Sequence, residues 1–137
     1  MAPVLRRRGR MTPGELRTRI DRFADDTIAL CRVTASDPLI LRLLVQLQDA
    51  AASTAANYRA ACRAQSKAAF VAKLSIALEE ADESVGWLQR LSRQQIGAPA
   101  DVERLPEEST EIAAILSASR QTAQGRRRRS TGGTPPR

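Results

Sequence analysis

Apolar residues recur every three or four positions over four stretches of the chain, the spacing of amphipathic helices, and nowhere alternate as they do in strands. The first stretch puts Leu16, Ile20, Phe23, Ala24, Thr27, Ile28 and Cys31 on one face. It starts at Thr12-Pro13-Gly14-Glu15, where Thr12 caps, Pro13 takes the first helical position and Glu15 completes a capping box. It ends near Val33-Thr34, and Arg17 with Asp21, and Arg22 with Asp26, stand at i,i+4 on its wet side. Asp37-Pro38 restarts the chain into a second helix to about Ala64, with Ile40, Leu43, Leu44, Leu47, Ala51, Thr54, Ala55, Tyr58 and Cys62 inward. The alanine run from Ala50 to Ala61 predicts close approach to another helix.

Ser66 caps a third helix from about Lys67 to Gln94, whose face is Phe70, Leu74, Ala77, Leu78, Ala81, Val85, Leu88 and Leu91. Gly97-Ala98-Pro99 ends it, and residues 97–105 read as a loop holding at most a short turn. Pro106-Glu107-Glu108 opens the fourth helix, which faces inward through Ile112, Ile115, Leu116, Ser119 and Ala123 and fades at Gln124-Gly125. The prediction is all-α: an antiparallel up-down-up-down four-helix bundle over 12–125. A basic N-terminal arm, 1–11, and an Arg-rich C-terminal tail, 126–137, both read as disordered.

Composition narrows the chemistry. The 137 residues include no histidine, which removes His general bases, Ser-His and Cys-His dyads and His metal ligands. Two cysteines, Cys31 and Cys62, cannot form a zinc site alone and lie on apolar faces, so buried free thiols are expected. No apolar run spans a membrane, and the early arginines lead into no apolar stretch, so the expectation is a cytoplasmic chain without a secretory signal. Glu80-x-x-Glu83 and Glu108-x-x-Glu111 each put two carboxylates on one helix face, as Mg²⁺-dependent all-α nucleotide hydrolases do, but the pattern is common on wet helices and no glycine-rich phosphate loop accompanies it. The reading is therefore not an enzyme, with no cofactor and no metal.

Charge is distributed more tellingly than its total of +7. Arg6, Arg7, Arg8 and Arg10 precede the bundle without an acid, and Arg126, Arg127, Arg128, Arg129 and Arg137 follow it, again without one. Such arms suit phosphate contact, so these arginines (Arg137 aside) are the candidate nucleic-acid-binding residues, for RNA or DNA. Inside the bundle, Pro38 to Leu78 holds Arg42, Arg59, Arg63, Lys67 and Lys73 against Asp49 alone, whereas Glu79 to Glu111 holds nine acids against three arginines. Antiparallel register puts Arg59 and Glu80 too far apart to pair within a hairpin of helices two and three. Complementary patches of this kind suit a head-to-tail ring, or else counter-charges from helices one and four. The candidate subunit-interface residues are Asn57, Arg59, Arg63, Lys67, Lys73, Glu80, Asp82, Glu83 and Trp87. Asn57 is a poor former of helix interiors and needs a hydrogen-bond partner in a backbone or a subunit, and the Trp87 N–H needs one too.

The stretch QLQDAAASTAANYRAACRAQSKAAFVAKLSIALEEADESVGWLQRL, Gln46 to Leu91, closely resembles the bacterial four helix bundle proteins, also called 23S rRNA intervening-sequence proteins. The carrying residues are Gln46-Leu47, Ala51, Ser53, Ala56-Asn57-Tyr58-Arg59-Ala60-Ala61, Cys62-Arg63, Ser66, Phe70, Lys73-Leu74, Glu80-Ala81-Asp82-Glu83 and Trp87-Leu88. Ser119-Arg120 and Thr122-Ala123 resemble the family's ending, so the likeness covers about 15–124. Ala69 replaces an acid usual before the phenylalanine, which removes the capping box from Ser66, and Gly86 replaces an aromatic usual before the tryptophan. The resemblance implies a left-handed bundle assembling as a homopentamer, with no catalytic residues to carry over. A related branch, the accessory proteins of diversity-generating retroelements, implies a reverse transcriptase or another protein as a possible partner. The function expected is a non-enzymatic oligomer that binds nucleic acid through basic residues; the alternatives are a protein scaffold without nucleic acid and a Mg²⁺ hydrolase.

Overall fold

The computed structural model describes residues 11–35 and 37–131. Four helices succeed one another: α1 (Pro13–Thr34), α2 (Pro38–Cys62), α3 (Lys67–Arg93) and α4 (Pro99–Thr131). Each of the first three begins on a side-chain cap. Thr12 Oγ1 accepts from the Glu15 amide at 3.1 Å, an Asp37 carboxylate oxygen from the Leu39 amide at 2.9 Å, and Ser66 Oγ from the Ala69 amide at 3.1 Å. Ala69 has no side chain to return the Ser66 bond, so that cap is one-sided.

Ladder registers show that the helices alternate in direction. The Cys31 thiol points to the Leu44 carbonyl, Arg59 reaches back to Asp21, and Ser109 Oγ donates to the Ala81 carbonyl at 3.2 Å. α1 touches α2, α2 touches α3, α3 touches α4, and α4 closes on α1, with no diagonal contact among the described residues. This is the predicted bundle. None of the described helices is long and apolar enough to cross a membrane.

The interior is aliphatic. Ile20, Leu47, Leu74, Leu88, Leu91, Leu105, Ile112 and Leu116 are fully buried, with Phe23 among them. The predicted close approach of α2 is made by Ala50, Ala51 and Ala61, matched on α3 by buried Ala77 and Ala81. Buried hydroxyls of Thr27, Thr54 and Ser84 return to carbonyls four residues back on their own helices, whereas that of Ser109 bonds across to a neighbouring helix.

α3 ends on a left-handed cap. Gln95 has φ 55°, its amide reaches the Ser92 carbonyl at 3.1 Å, and the Ile96 amide reaches Leu91 at 2.9 Å, the Schellman pattern. Gly97 follows at φ 100°, where an added Cβ would lie 3.0 Å from Leu30 Cδ1 and 3.1 Å from Val102 Cγ1. Both the dihedral and the tight approach of α1 and α4 require glycine there.

Three expectations are corrected. α4 starts at Pro99, not Pro106, and runs through the predicted 97–105 loop. The Ala98 carbonyl takes the Asp101 and Val102 amides at 3.0 and 3.1 Å, and Pro99 stands at the first helical position, where no N–H is needed. Val102 and Leu105 are buried, at about 1.5–3 kcal/mol each, which offsets the roughly 3 kcal/mol that Pro106 costs inside a helix.

At its other end α4 continues to Thr131 rather than fading at Gly125, so residues 126–131 of the expected disordered tail are helical. Arginine is a good helix former and cations are favoured near a helix C-terminus, which together outweigh the roughly 1 kcal/mol of one glycine. Residues 1–10 and 132–137 of the arms lie outside the described residues.

Cys62 is exposed, being the last residue of α2, where the apolar stripe runs out from under the bundle; only Cys31 is buried, and burial pushes its thiol up to about 11. Finally, Gly86 is exposed and an added Cβ would meet nothing within 4 Å, so it leaves no gap inside the chain.

Candidate functional site

An even number of alternating helices brings the start of α1 and the end of α4 to one end of the molecule. The chain enters α1 at Met11, beside the 63–66 turn between α2 and α3, and α4 points toward that same end. The Ser109–Ala81 bond sets the level. Lys67, where α3 begins, lies 14 residues before Ala81, so α4 passes its level near Ala123. About eight residues of α4, about 12 Å, therefore stand beyond the bundle. The deepest packed residue on this half of α4 is Leu116, fully buried; past it come partly exposed Ser117, Ser119, Arg120 and Ala123. No acid occurs after Glu111, and none between Ala56 and Lys73 at the same end. Arg126, Arg127, Arg128 and Arg129 lie on the projecting turns, their side chains outside the described residues together with Arg6, Arg7, Arg8 and Arg10.

The candidate interface residues fall into paired and unpaired sets. Arg59 sits 3.7 Å from Asp21 of α1, so helix one supplies one of the counter-charges. Asn57 donates to the Ser53 carbonyl at 2.9 Å and to Ser53 Oγ at 3.0 Å, so a backbone one turn back on its own helix supplies the expected partner. The Trp87 N–H reaches a Glu83 carboxylate oxygen at 3.3 Å, and the Arg90 guanidinium lies 5.9 Å from the centre of the Trp87 ring. Arg63, Lys67 and Lys73 are exposed, and no ion pair forms on them or on Glu79, Glu80, Asp82 and Glu83 among the described residues. Burial and the neighbouring carboxylates of Glu83, Glu79 and Asp49 raise the Glu80 carboxyl above its ordinary range. The band of acids on α3 thus repels itself, and no ion pair among the described residues relieves it.

A different ionic cluster was missed by sequence reasoning. Arg19 of α1 crosses to α4, where Nε donates to Glu108 at 3.0 Å and one terminal nitrogen to Glu108 at 2.6 Å and to Glu111. The Arg19 bonds hold the Glu108 carboxyl below its usual range, against the opposing effect of burial. Beside them, Arg104 of α4 reaches Asp26 of α1 at 3.1 Å. The Arg17–Asp21 and Arg22–Asp26 pairs expected along α1 are replaced by these cross-helix contacts, because Asp21 and Asp26 sit at the seams and not on the open face. The Glu108-x-x-Glu111 pair is therefore filled by a guanidinium. No cluster of three metal-ligating side chains occurs among the described residues. Only the i,i+3 spacing of Glu108 and Glu111 was visible in the chain; their partner lies 89 positions away in sequence.

A family model described as 23S rRNA-intervening sequence protein matches residues 19–118. Among solved structures, the chain is similar to a protein of unknown function from the S23 ribosomal protein family of Bacteroides thetaiotaomicron VPI-5482. The two share 30% identity and a TM-score of 0.73 over 81% of this chain and 99% of that one. No functionally curated protein matches the sequence.

Proposed function

The chain belongs to the 23S rRNA-intervening sequence protein family, and from that premise we propose a non-enzymatic homo-oligomeric module that binds nucleic acid through its arginine segments. The observation that carries this reading is that α1 starts and α4 ends at one end of the bundle, where the α2–α3 turn is basic and Glu15, in the first turn of α1, is the acid among the described residues. Unpaired charge on the α2–α3 hairpin supports assembly. The acids of α3 need cations, and Arg63, Lys67 and Lys73 of a neighbouring copy are of the right sign for a head-to-tail contact. The ring of five implied by the family resemblance multiplies the arm charge, so weak phosphate contacts add by avidity.

The test is a salt titration of RNA and DNA binding by the full chain and by a variant with Arg6, Arg7, Arg8, Arg10 and Arg126 to Arg129 changed to alanine. Binding that falls steeply with salt and is lost in the variant is the expected result. No binding by the full chain at low salt would sink the nucleic-acid reading and favour a protein scaffold. Glu80→Lys with Glu83→Lys should lower the mass of the oligomer in solution; an unchanged mass removes these acids from the interface.

A further inference from the structure

The shape of α4 narrows the class of nucleic acid. We infer that the projecting end of α4 is a basic helical spur that seats in the major groove of double-stranded DNA, touching phosphates on both walls and reading no sequence. This rests on the nucleic-acid reading above and adds to it a ligand form and a geometry.

Three observations support it. First, the segment that carries Arg126 to Arg129 is helical to Thr131 and continuous with a packed helix, not a free tail. A rod already ordered loses less conformational freedom on binding than a coil does. Second, four consecutive helical positions step about 100° each around the axis, so no single face holds all four. That arrangement is poor for lying on a flat surface and good for a rod with phosphates on either side. An α-helix is about 10–12 Å across with its side chains, which the B-form major groove, about 12 Å wide, admits; the major groove of an RNA duplex is too deep and narrow. Third, the chain offers no platform for unpaired bases. Phe23 and Tyr58 are buried, Phe70 and Trp87 are half-buried against the core, and the Trp87 N–H faces a carboxylate. Single-strand binders depend on exposed aromatic faces.

The experiment uses the full chain and three probes of matched sequence: a 20-base-pair DNA duplex, the same RNA duplex and the single DNA strand. Gln124→Pro breaks α4 just beyond the level of Lys67 while keeping every arginine, and Gln124→Ala is its control. Thermal unfolding of both should match the unchanged protein, since residue 124 is exposed and lies past the packed part of α4.

The expected results are at least tenfold tighter binding of duplex DNA than of either other probe, and at least tenfold loss in Gln124→Pro with no change in Gln124→Ala. Changing Arg126 to Arg129 to alanine should also flatten the log–log salt slope for duplex DNA by about 3.6, at roughly 0.9 for each phosphate no longer neutralised. Equal binding by Gln124→Pro would overturn the spur and leave a flexible charged tail as the binding element. Equal or tighter binding of RNA duplex or single strand would overturn the major-groove assignment, with the nucleic-acid reading intact. Failure of all three probes to bind would overturn both.

Discussion

The bundle has two kinds of seam. Where α3 meets α2 and α4, alanines and leucines interlock with no ion pair between them among the described residues, and one hydroxyl-to-carbonyl bond fixes the register. Where α1 meets α4, the contact is thin and its polar content is high: Arg19 on Glu108 and Glu111, Arg104 on Asp26. The first kind of seam holds by excluding water, a force that salt does not screen and pH does not titrate, although the Glu80 carboxyl of α3 feels Asp49 of α2 across it. The second holds by charge, which salt screens and pH titrates. α3 is the spine of the molecule, and α1 is its clasped door.

The sharpest way to break this contrast is to empty one seam and unclasp the other. Leu88→Ala removes a fully buried side chain from α3 and should cost about 3 kcal/mol, by denaturant unfolding, equally at low and high salt. A strong salt dependence of that cost would undo the distinction.

Arg19→Met leaves half-buried Glu108 without its partner and should cost about 1–2 kcal/mol at low salt, shrinking in 1 M NaCl. Acid acts on the same clasp. Glu108 is held below its ordinary range in the folded chain, so its stabilisation is complete above the unfolded value near 4.3 and is lost as pH falls through the lower folded value. Glu80 has the opposite sign: raised in the folded chain, it destabilises at neutral pH and relents as pH falls toward the unfolded value. Thermal unfolding from pH 7 to 3 should therefore hold level or rise slightly before it drops. Arg19→Met should blunt the drop and leave the earlier limb alone.

Gly86→Ala is the smallest expected effect, a gain of about 1 kcal/mol or less, because the site is exposed, helical and open to a methyl group. A loss instead of a gain, with a fall in oligomer mass, would mean that a neighbouring copy covers this face of α3.

The same contrast explains which features are legible in the chain. α1, α2 and α3 are legible because their signals are local: Thr12-Pro13, Asp37-Pro38 and Ser66 are caps whose chemistry is settled within three residues. The leucine and alanine faces are legible for a similar reason, since burial follows the helical period. The start of α4 is not. Pro99 and Pro106 both fit a first helical position, and the acids after Pro106 argue for the wrong one, although Val102 and Leu105 already continue the apolar face. The ionic clasp is invisible for a deeper reason. Spacing along a helix shows which charges share a face, and it cannot show which face meets which helix. Arg19 therefore stands unnoticed beside two carboxylates that look like a metal pair. Cys62 misleads similarly, by lying at a helix end where its apolar stripe no longer meets a neighbour.

The length of α4 has a kinetic consequence. Starting a helix is the costly step, because several residues must be fixed for the first hydrogen bond; adding to one that exists is nearly neutral. The packed stretch of α4 serves as the nucleus for its own overhang, so the arginine-rich residues 126–131 can be helical that would be coil as a peptide. Amide exchange along α4 should therefore be graded, with slow protons around Ile112 and Leu116 and progressively faster ones toward Thr131. The projection is ordered on loan from the core, and its rigidity ends wherever that propagation stops.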